Sequence, residues 1–253
     1  MPLQITFNKK ADSSTLMQMT AKTNGIPTTT DPVLISQTIV GKGSFLFPGN
    51  LNGYLSIANS SDLQFGTNDF TVEMFIYQTG GTQYPRLFSM GTYRSVSFAV
   101  SIEYNAFLLW INNAYYTMGP VNLFNDWNHV AITREGPNVR VFINGIQLGD
   151  TLTNEPPYNF TDTTNPLTIG TESFPSSNNC FSGYLTNFNW VKGTALYTAN
   201  FIVPTAPLTP DVNTKILLLA ATPATLNVDS SGTGKTVTNN GNNVIFSRLT
   251  PFF

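Results

Sequence analysis

Two carboxylates held close together are the least that hydrolysis of a glycosidic bond requires, one as nucleophile and one as acid. Glu73 and Glu103 are the acids to weigh, and neither has a partner in sequence. Glu73 stands alone in its strand, and Glu103 has no carboxylate two residues away. His129 is the only histidine. It cannot complete a triad unaided, and the chain has no G-x-S-x-G elbow, so a hydrogen-bonded strand histidine is the expected role. Cys180 lies in a Ser/Asn loop without a second cysteine or a nearby histidine and reads as an incidental thiol. Gly234-Lys235-Thr236 resembles the end of a phosphate-binding loop. The first glycine of that motif would fall at Asp229, and strand rather than helix follows, so the helix N-terminus that binds the anion is missing. Catalysis therefore ranks well below binding.

A sugar site needs aromatic platforms with amides and hydroxyls beside them. Tyr115 and Tyr116, directly after Asn112 and Asn113, form one such cluster, and Asn178 and Asn179 near Phe174 form another. Both are expected in loops. Phe75, Tyr77 and Phe142, on the outward side of their strands, are candidates for a concave face. Aromatics that merely pack under loops or make subunit contacts are the competing reading for each.

Composition narrows the partners. Only 10% of the 253 residues are charged, the net charge is −2, and there is no basic run. Nucleic acid is excluded as a partner, because neutralising phosphates takes clustered Lys and Arg. With one cysteine no disulfide forms within the chain, which suits a reducing compartment or a fold that needs no staple. No apolar run is long enough to span a bilayer. The first residues, MPLQITFNKKADSS, lack the apolar region of a secretory signal. The expectation is a cytoplasmic protein, or one that leaves by another route, such as release with a virus particle.

The elements that must position these residues are strands. Trp127–Gly149 is the clearest stretch. Asn144-Gly145 suits a two-residue turn with both central residues at positive φ. That register sets Ile143 opposite Ile146 and Val141 opposite Leu148, with Val139 on the same face. Glu135-Gly136-Pro137-Asn138 makes the preceding turn. Strands are expected at Ser44–Phe47, Tyr54–Ile57, Asp69–Tyr77, Arg86–Gly91, Val96–Ile102, Phe107–Ile111, Leu167–Gly170 and Phe181–Val191. Val96, Phe98, Val100 and Ile102 should point inward. Asn112–Tyr116 reads as a polar, aromatic turn, 151–166 as a Pro-rich loop and Tyr197–Pro210 as an extended segment. Before these, residues 1–37 are weakly patterned, with Gln4–Phe7 a possible strand and Leu16–Met19 a strand or helical turn, while from Val33 the β signal becomes steady. Short strands at this spacing indicate an all-β, two-sheet antiparallel jelly-roll sandwich.

An ordered set of motifs carries a family resemblance. It runs Gly53–Ile57, Phe65-Gly66 with Asp69–Glu73, Trp127–Arg134, Val141–Gly145, Thr168–Gly170, Phe181–Tyr184 and Lys192–Tyr197. Together they resemble the laminin-G-like domains of the concanavalin A-like lectin/glucanase superfamily over about Ser44–Leu208. The resemblance implies a domain over 44–208, an arm with first strands over 1–43, and an extension over 209–253. In that extension Lys215–Leu219, Asp229–Gly232 and Thr236–Thr238 are similar to strands that usually open such a domain. Here they come last, as in modules from phage and virus structural proteins, and they are expected to complete the same sandwich.

The glucanases of the superfamily carry an E-x-D-x-E strand that this chain lacks. Many of its lectin-like members hold calcium through rim carboxylates and carbonyls, which makes Asp150, Asp162 and Glu172 the metal candidates. The chain departs from that pattern at Phe47-Pro48-Gly49, Asn52-Gly53-Tyr54 and Thr186-Asn187. The expected function is a non-catalytic binding or assembly module on a virion surface, a capsid decoration or tail-associated adhesin. Its partner would be a glycan or another virion protein, with no membrane insertion, and it would act as a homo-oligomer or within a larger assembly. A secreted or cell-surface lectin module is the alternative, and a glycan hydrolase with an unrecognised carboxylate pair comes last.

Overall fold

The computed structural model describes residues 43–92 and 95–252, together with four short strands nearer the N-terminus. Those four belong to a separate compact unit, Met1–Ile39. In it β1 (Thr6–Asn8) pairs antiparallel with β2 (Leu16–Gln18), and β3 (Lys22–Thr23) with β4 (Ile26–Pro27). The steady β pattern expected from Val33 lies, as far as residue 42, outside the described residues.

The second unit, Val40–Phe253, is a sandwich of two antiparallel sheets. Its strands, in chain order, begin with β5 (Ser44–Pro48), β6 (Tyr54–Ile57), β7 (Phe70–Gly81), β8 (Arg86–Thr92) and β9 (Ser95–Glu103). They continue with β10 (Ala106–Ile111), β11 (Ala114–Pro120), β12 (Asn128–Glu135), β13 (Asn138–Ile143) and β14 (Ile146–Thr153). The last are β15 (Leu167–Ile169), β16 (Phe181–Lys192), β17 (Thr214–Leu218), β18 (Val237–Asn240) and β19 (Ile245–Ser247). One sheet has the order β11-β10-β9-β8-β15-β6-β18. The other runs β14-β13-β12-β7-β16-β5-β19, with β17 on β16.

Alternation along the strands builds the core between the sheets. Val72, Met74 and Ile76 of β7, Val130 and Ile132 of β12, and Phe107, Leu109 and Ile111 of β10 all point inward and are buried. Aromatic rings fill the middle. Phe65 lies between Phe70 and Trp190, with centroids 4.2 and 4.4 Å away. Each such side chain contributes about 1.5–3 kcal/mol through burial.

The Asn144-Gly145 hairpin has the expected register, Ile143 with Ile146 and Val141 with Leu148. A Cβ at Gly145 would stand 2.1 Å from the Phe201 carbonyl oxygen, so only glycine fits. Ile146 keeps the face of Val139 and Val141, opposite Ile143, but on the edge strand it is largely exposed. One expectation needs correcting. Val96 packs with Ala99, Leu108 and Trp110 in a small separate cluster instead of joining Phe98 in the core. It sits where the β8–β9 pairing slips register between Met90 and Gly91.

The extension over 209–253 supplies strands to both sheets. β17 pairs with β16, β18 with β6 and β19 with β5. The loop before β18 is organised by Asp229, whose carboxylate accepts hydrogen bonds from Leu217 N, Ser231 N and Oγ, Thr233 Oγ1 and Lys235 N. Gly234-Lys235-Thr236 thus leads into a strand.

Candidate functional site

The outer faces of the two sheets differ. On the eight-stranded sheet the outward side chains of β7, β12 and β13 lie under an extended segment from Thr194 to Leu208. Thr71 Oγ1 donates to the Thr194 carbonyl, Thr133 Oγ1 to the Tyr197 carbonyl, and Leu208 N to Asn187 Oδ1. Tyr197 and Phe201 stack at 3.6 Å, and Phe201 packs against Phe142 at 5.4 Å. Phe252 covers Phe75 at 5.1 Å. Phe75 and Phe142 therefore line no open concave face; both are buried.

The same segment seals a polar cluster. Glu73 Oε2 lies 3.0 Å from His129 Nε2 and accepts from Tyr197 Oη at 2.9 Å, while Asn189 Nδ2 donates to Oε1 at 2.9 Å. Burial, with the Glu73 carboxylate alongside, pushes the Tyr197 phenol far above its ordinary range. His129 is fully interior, in keeping with the structural role read from its sequence.

The outer face of the seven-stranded sheet carries an open cleft of about 680 Å³. Its floor comes from residues that alternate with the core set: Arg86 of β8, Glu103 of β9, and Ala106, Leu108 and Trp110 of β10. Four polar groups there form one network. Trp110 Nε1 donates to Ser101 Oγ at 3.0 Å, Ser101 Oγ to Glu103 Oε1 at 2.6 Å, and Arg86 Nη1 to the same oxygen at 3.3 Å. The Arg86 guanidinium also lies over the Trp110 ring, 4.5 Å from its centroid. Burial lowers the Arg86 pKa, and the Glu103 and Glu172 carboxylates oppose that shift. Arg86 Nε has no hydrogen-bond partner among the described residues, which leaves one donor of a cleft-lining side chain unpaired.

Two walls rise from this floor. One is the loop before β16. Its backbone is laced to the segment before β8: Tyr84 N donates to the Asn178 carbonyl and Arg86 N to the Asn179 carbonyl. That lacing sets Asn178, Asn179, Ser176 and Glu172 along the cleft. Cys180 is buried beneath it, and burial pushes its thiol up, away from reactivity. The other wall is aromatic. Tyr115 pairs with Trp110 across β10 and β11, ring centroids 5.3 Å apart, and is 61% exposed. Tyr104, in the β9–β10 turn, is 75% exposed beside Tyr84.

Of the residues singled out from sequence, the fold thus brings Tyr115, Asn178, Asn179 and Glu172 to one cleft, although Tyr115 stands on a strand rather than in a loop. Tyr116, next along β11, turns the other way and packs on the core, its phenol oxygen 3.1 Å from that of Tyr158. Asn112 and Asn113 form the β10–β11 turn and line a separate shallow depression with Ser97 and Asp162. Phe174 is exposed and is not part of the cleft lining. Sequence reasoning missed Tyr84, Arg86, Tyr104 and Trp110. A period-two reading of β8 to β10 marks Arg86 and Trp110 as outward, but not as neighbours.

The three acids named for calcium lie apart. Asp150 is exposed on β14, Glu172 is in the cleft, and Asp162 is in the depression. Asp162 already accepts hydrogen bonds from Thr164 N and Oγ1, Asn165 N and Nδ2, and Ser97 Oγ. Among the described residues no three of His, Cys, Asp and Glu gather where a metal ion would be held. The residues present do not fit the carboxylate site that the resemblance implies.

Residues 48–197 match the model of a family described as the Concanavalin A-like lectin/glucanases superfamily. No curated protein sequence matches the chain. Three solved structures share its fold at low identity. A Bacteroides ovatus protein proposed to bind carbohydrate is 16% identical with a TM-score of 0.59, over 82% of this chain and 60% of that one. The heptameric SAP-like pentraxin of Limulus polyphemus is 15% identical with a TM-score of 0.57, over 83% of this chain and 96% of that one. The extracellular region of zebrafish Gpr126/Adgrg6 is 14% identical with a TM-score of 0.55, over 80% of this chain and 26% of that one. The chain thus spans less than two thirds of the first and third. At such identities the likeness is one of fold.

Proposed function

The chain belongs to the Concanavalin A-like lectin/glucanases superfamily, and from that premise we propose that it is a non-catalytic module that binds a glycan in the cleft of the seven-stranded sheet. The cleft itself is the observation that carries this reading. It sets the exposed rings of Tyr104 and Tyr115 beside the amides of Asn178 and Asn179 and the carboxylates of Glu103 and Glu172. A sugar ring offers apolar C–H faces for the rings and a rim of hydroxyls for the polar groups.

Two features support binding without turnover. Glu103 Oε1 already accepts from both Ser101 and Arg86, the geometry of a fixed acceptor rather than of a proton donor. Glu73 is closed in by His129, Asn189 and Tyr197 and is almost wholly buried.

The test is a glycan array probed with the purified chain, with calcium and again with chelator, beside Tyr115→Ala. Binding by the wild type that survives chelation and is lost in the variant is the expected result. No bound glycan, or turnover of a laminarin-type polysaccharide, overturns the proposal.

For its setting we propose a virion surface, as capsid decoration or tail-associated adhesin, in several copies. The support is the resemblance to phage and virus modules and the low-charge, Asn/Thr/Ser-rich sequence. Immunogold labelling of purified particles checks it, and label found only on cells removes it.

A further inference from the structure

The cleft has a direction, and its two most exposed rings lie at different points along it. Tyr104 belongs to the turn that joins Glu103 to Ala106, at the start of β10. Tyr115 pairs with Trp110, near the end of β10. At roughly 3.4 Å per residue, the Ala106-to-Trp110 run and the turn before it put the two about 15 Å apart along the strand. Between them the floor is continuous, through Ala106, Leu108 and Trp110.

Tyr104 is also an unfavourable choice for its turn. Its φ is +51°, and Asn105 follows at +61°. A bulky side chain is strained in this left-handed region, whereas asparagine tolerates it. Two other two-residue turns of this domain meet the same demand with asparagine first, Asn112-Asn113 and Asn144-Gly145. Burial does not explain the tyrosine, since its side chain is 75% exposed. Among the described residues its hydroxyl meets only the exposed Gln83 amide at 2.8 Å and the Tyr84 hydroxyl at 3.2 Å. Strain kept at an exposed cleft residue points to use by a ligand.

We infer that Tyr104 and Tyr115 are two separate stacking platforms, and that the ligand is an oligosaccharide lying along β10 rather than a single terminal sugar. The inference rests on the glycan reading above and specifies its ligand class. Each platform takes a different sugar unit, and the polar wall from Ser176 to Asn179 takes hydroxyls between them.

The experiment is titration calorimetry on the intact chain with mono- to hexasaccharide series of β-glucan, xylan, mannan and chitin type, repeated with Tyr104→Asn and Tyr115→Ala. Affinity should rise with length in at least one series and then level off. Tyr104→Asn should weaken the longer ligands roughly tenfold, as removal of an aromatic anchor does, while its melting temperature stays level or rises because the turn is relieved. A monosaccharide that binds as tightly as its oligomers overturns the inference and leaves glycan binding standing. Unchanged oligosaccharide affinity in Tyr104→Asn, or a fall in its melting temperature, also overturns it, the latter showing a structural role. If no sugar of any length binds, the glycan reading fails and this inference falls with it.

Discussion

Arg86 and Trp110 are a stacked pair, the guanidinium carbon 4.5 Å from the ring centroid, and with Glu103 they fix the floor of the cleft. Both side chains lie on the solvent side of the seven-stranded sheet, yet Arg86 is only 2% exposed. Removing one partner of a buried pair strands the other's charge. Arg86→Met should cost about 3 kcal/mol. Arg86→Met combined with Glu103→Gln should recover part of that. Urea denaturation of the wild type, both single variants and the double variant gives the coupling, and additive losses would show that the pair does not act as a unit.

Asn113 follows Asn112 at the base of β11, close to Tyr115 in sequence but outside the cleft. Its Oδ1 accepts from Val96 N at 2.7 Å, and its φ is +69°. Asn113→Ala should lose about 1–2 kcal/mol through the orphaned amide and the strained backbone. Glycan affinity should stay within a factor of two. A large loss of affinity at unchanged stability would move the binding site to the depression beside Asp162.

Tyr197→Phe removes the phenol that donates to Glu73 at 2.9 Å while leaving the ring on Phe201. The expected cost is about 1 kcal/mol, with faster proteolysis between Thr194 and Leu208 and no change in the cleft. Mass mapping of limited digests and a ligand titration read the two effects separately.

Asp162 supplies a pH signature. Burial pushes its carboxyl pKa up, but hydrogen bonds from Asn165 and Thr164 outweigh that and hold it below the ordinary aspartate value. A depressed folded pKa stabilises above the unfolded value, about 4, and that contribution is lost as pH falls through the lower folded value. The stability gap between the wild type and Asp162→Asn should therefore be constant above roughly pH 5 and shrink below it. A gap independent of pH down to acid unfolding would contradict this.

Truncation after Lys235 removes β18, β19 and the aromatic contact of Phe252. Val237, Val244 and Phe252 are buried, and their loss alone costs about 5 kcal/mol or more. Against a typical domain stability of about 5–15 kcal/mol, the shortened chain should melt far lower or fail to fold. Circular dichroism melts compare the two, and an unchanged melt would show the tail to be dispensable.

Sequence by itself determined the local chemistry and the fold class. Asn144-Gly145 dictates its hairpin because two consecutive positive φ values suit few residues, and the period-two runs of β7 and β12 dictate which side chains face the core. Sequence also placed aromatic and amide side chains at Tyr115, Asn178 and Asn179. Tertiary structure alone decided which sheet face is open. Phe75 and Phe142 have the same outward phase as Trp110, and they are lost as a site only because Phe201 and Phe252, distant in the chain, fold over them. Likewise Arg86, Trp110 and Asn179 meet only after β8, β9 and β10 have paired and the loop before β16 has bonded to β8. Periodicity fixes the side of a strand on which a residue stands. It carries no information on which strand, or which loop, arrives beside it, because that depends on long-range pairing and on the packing that selects it.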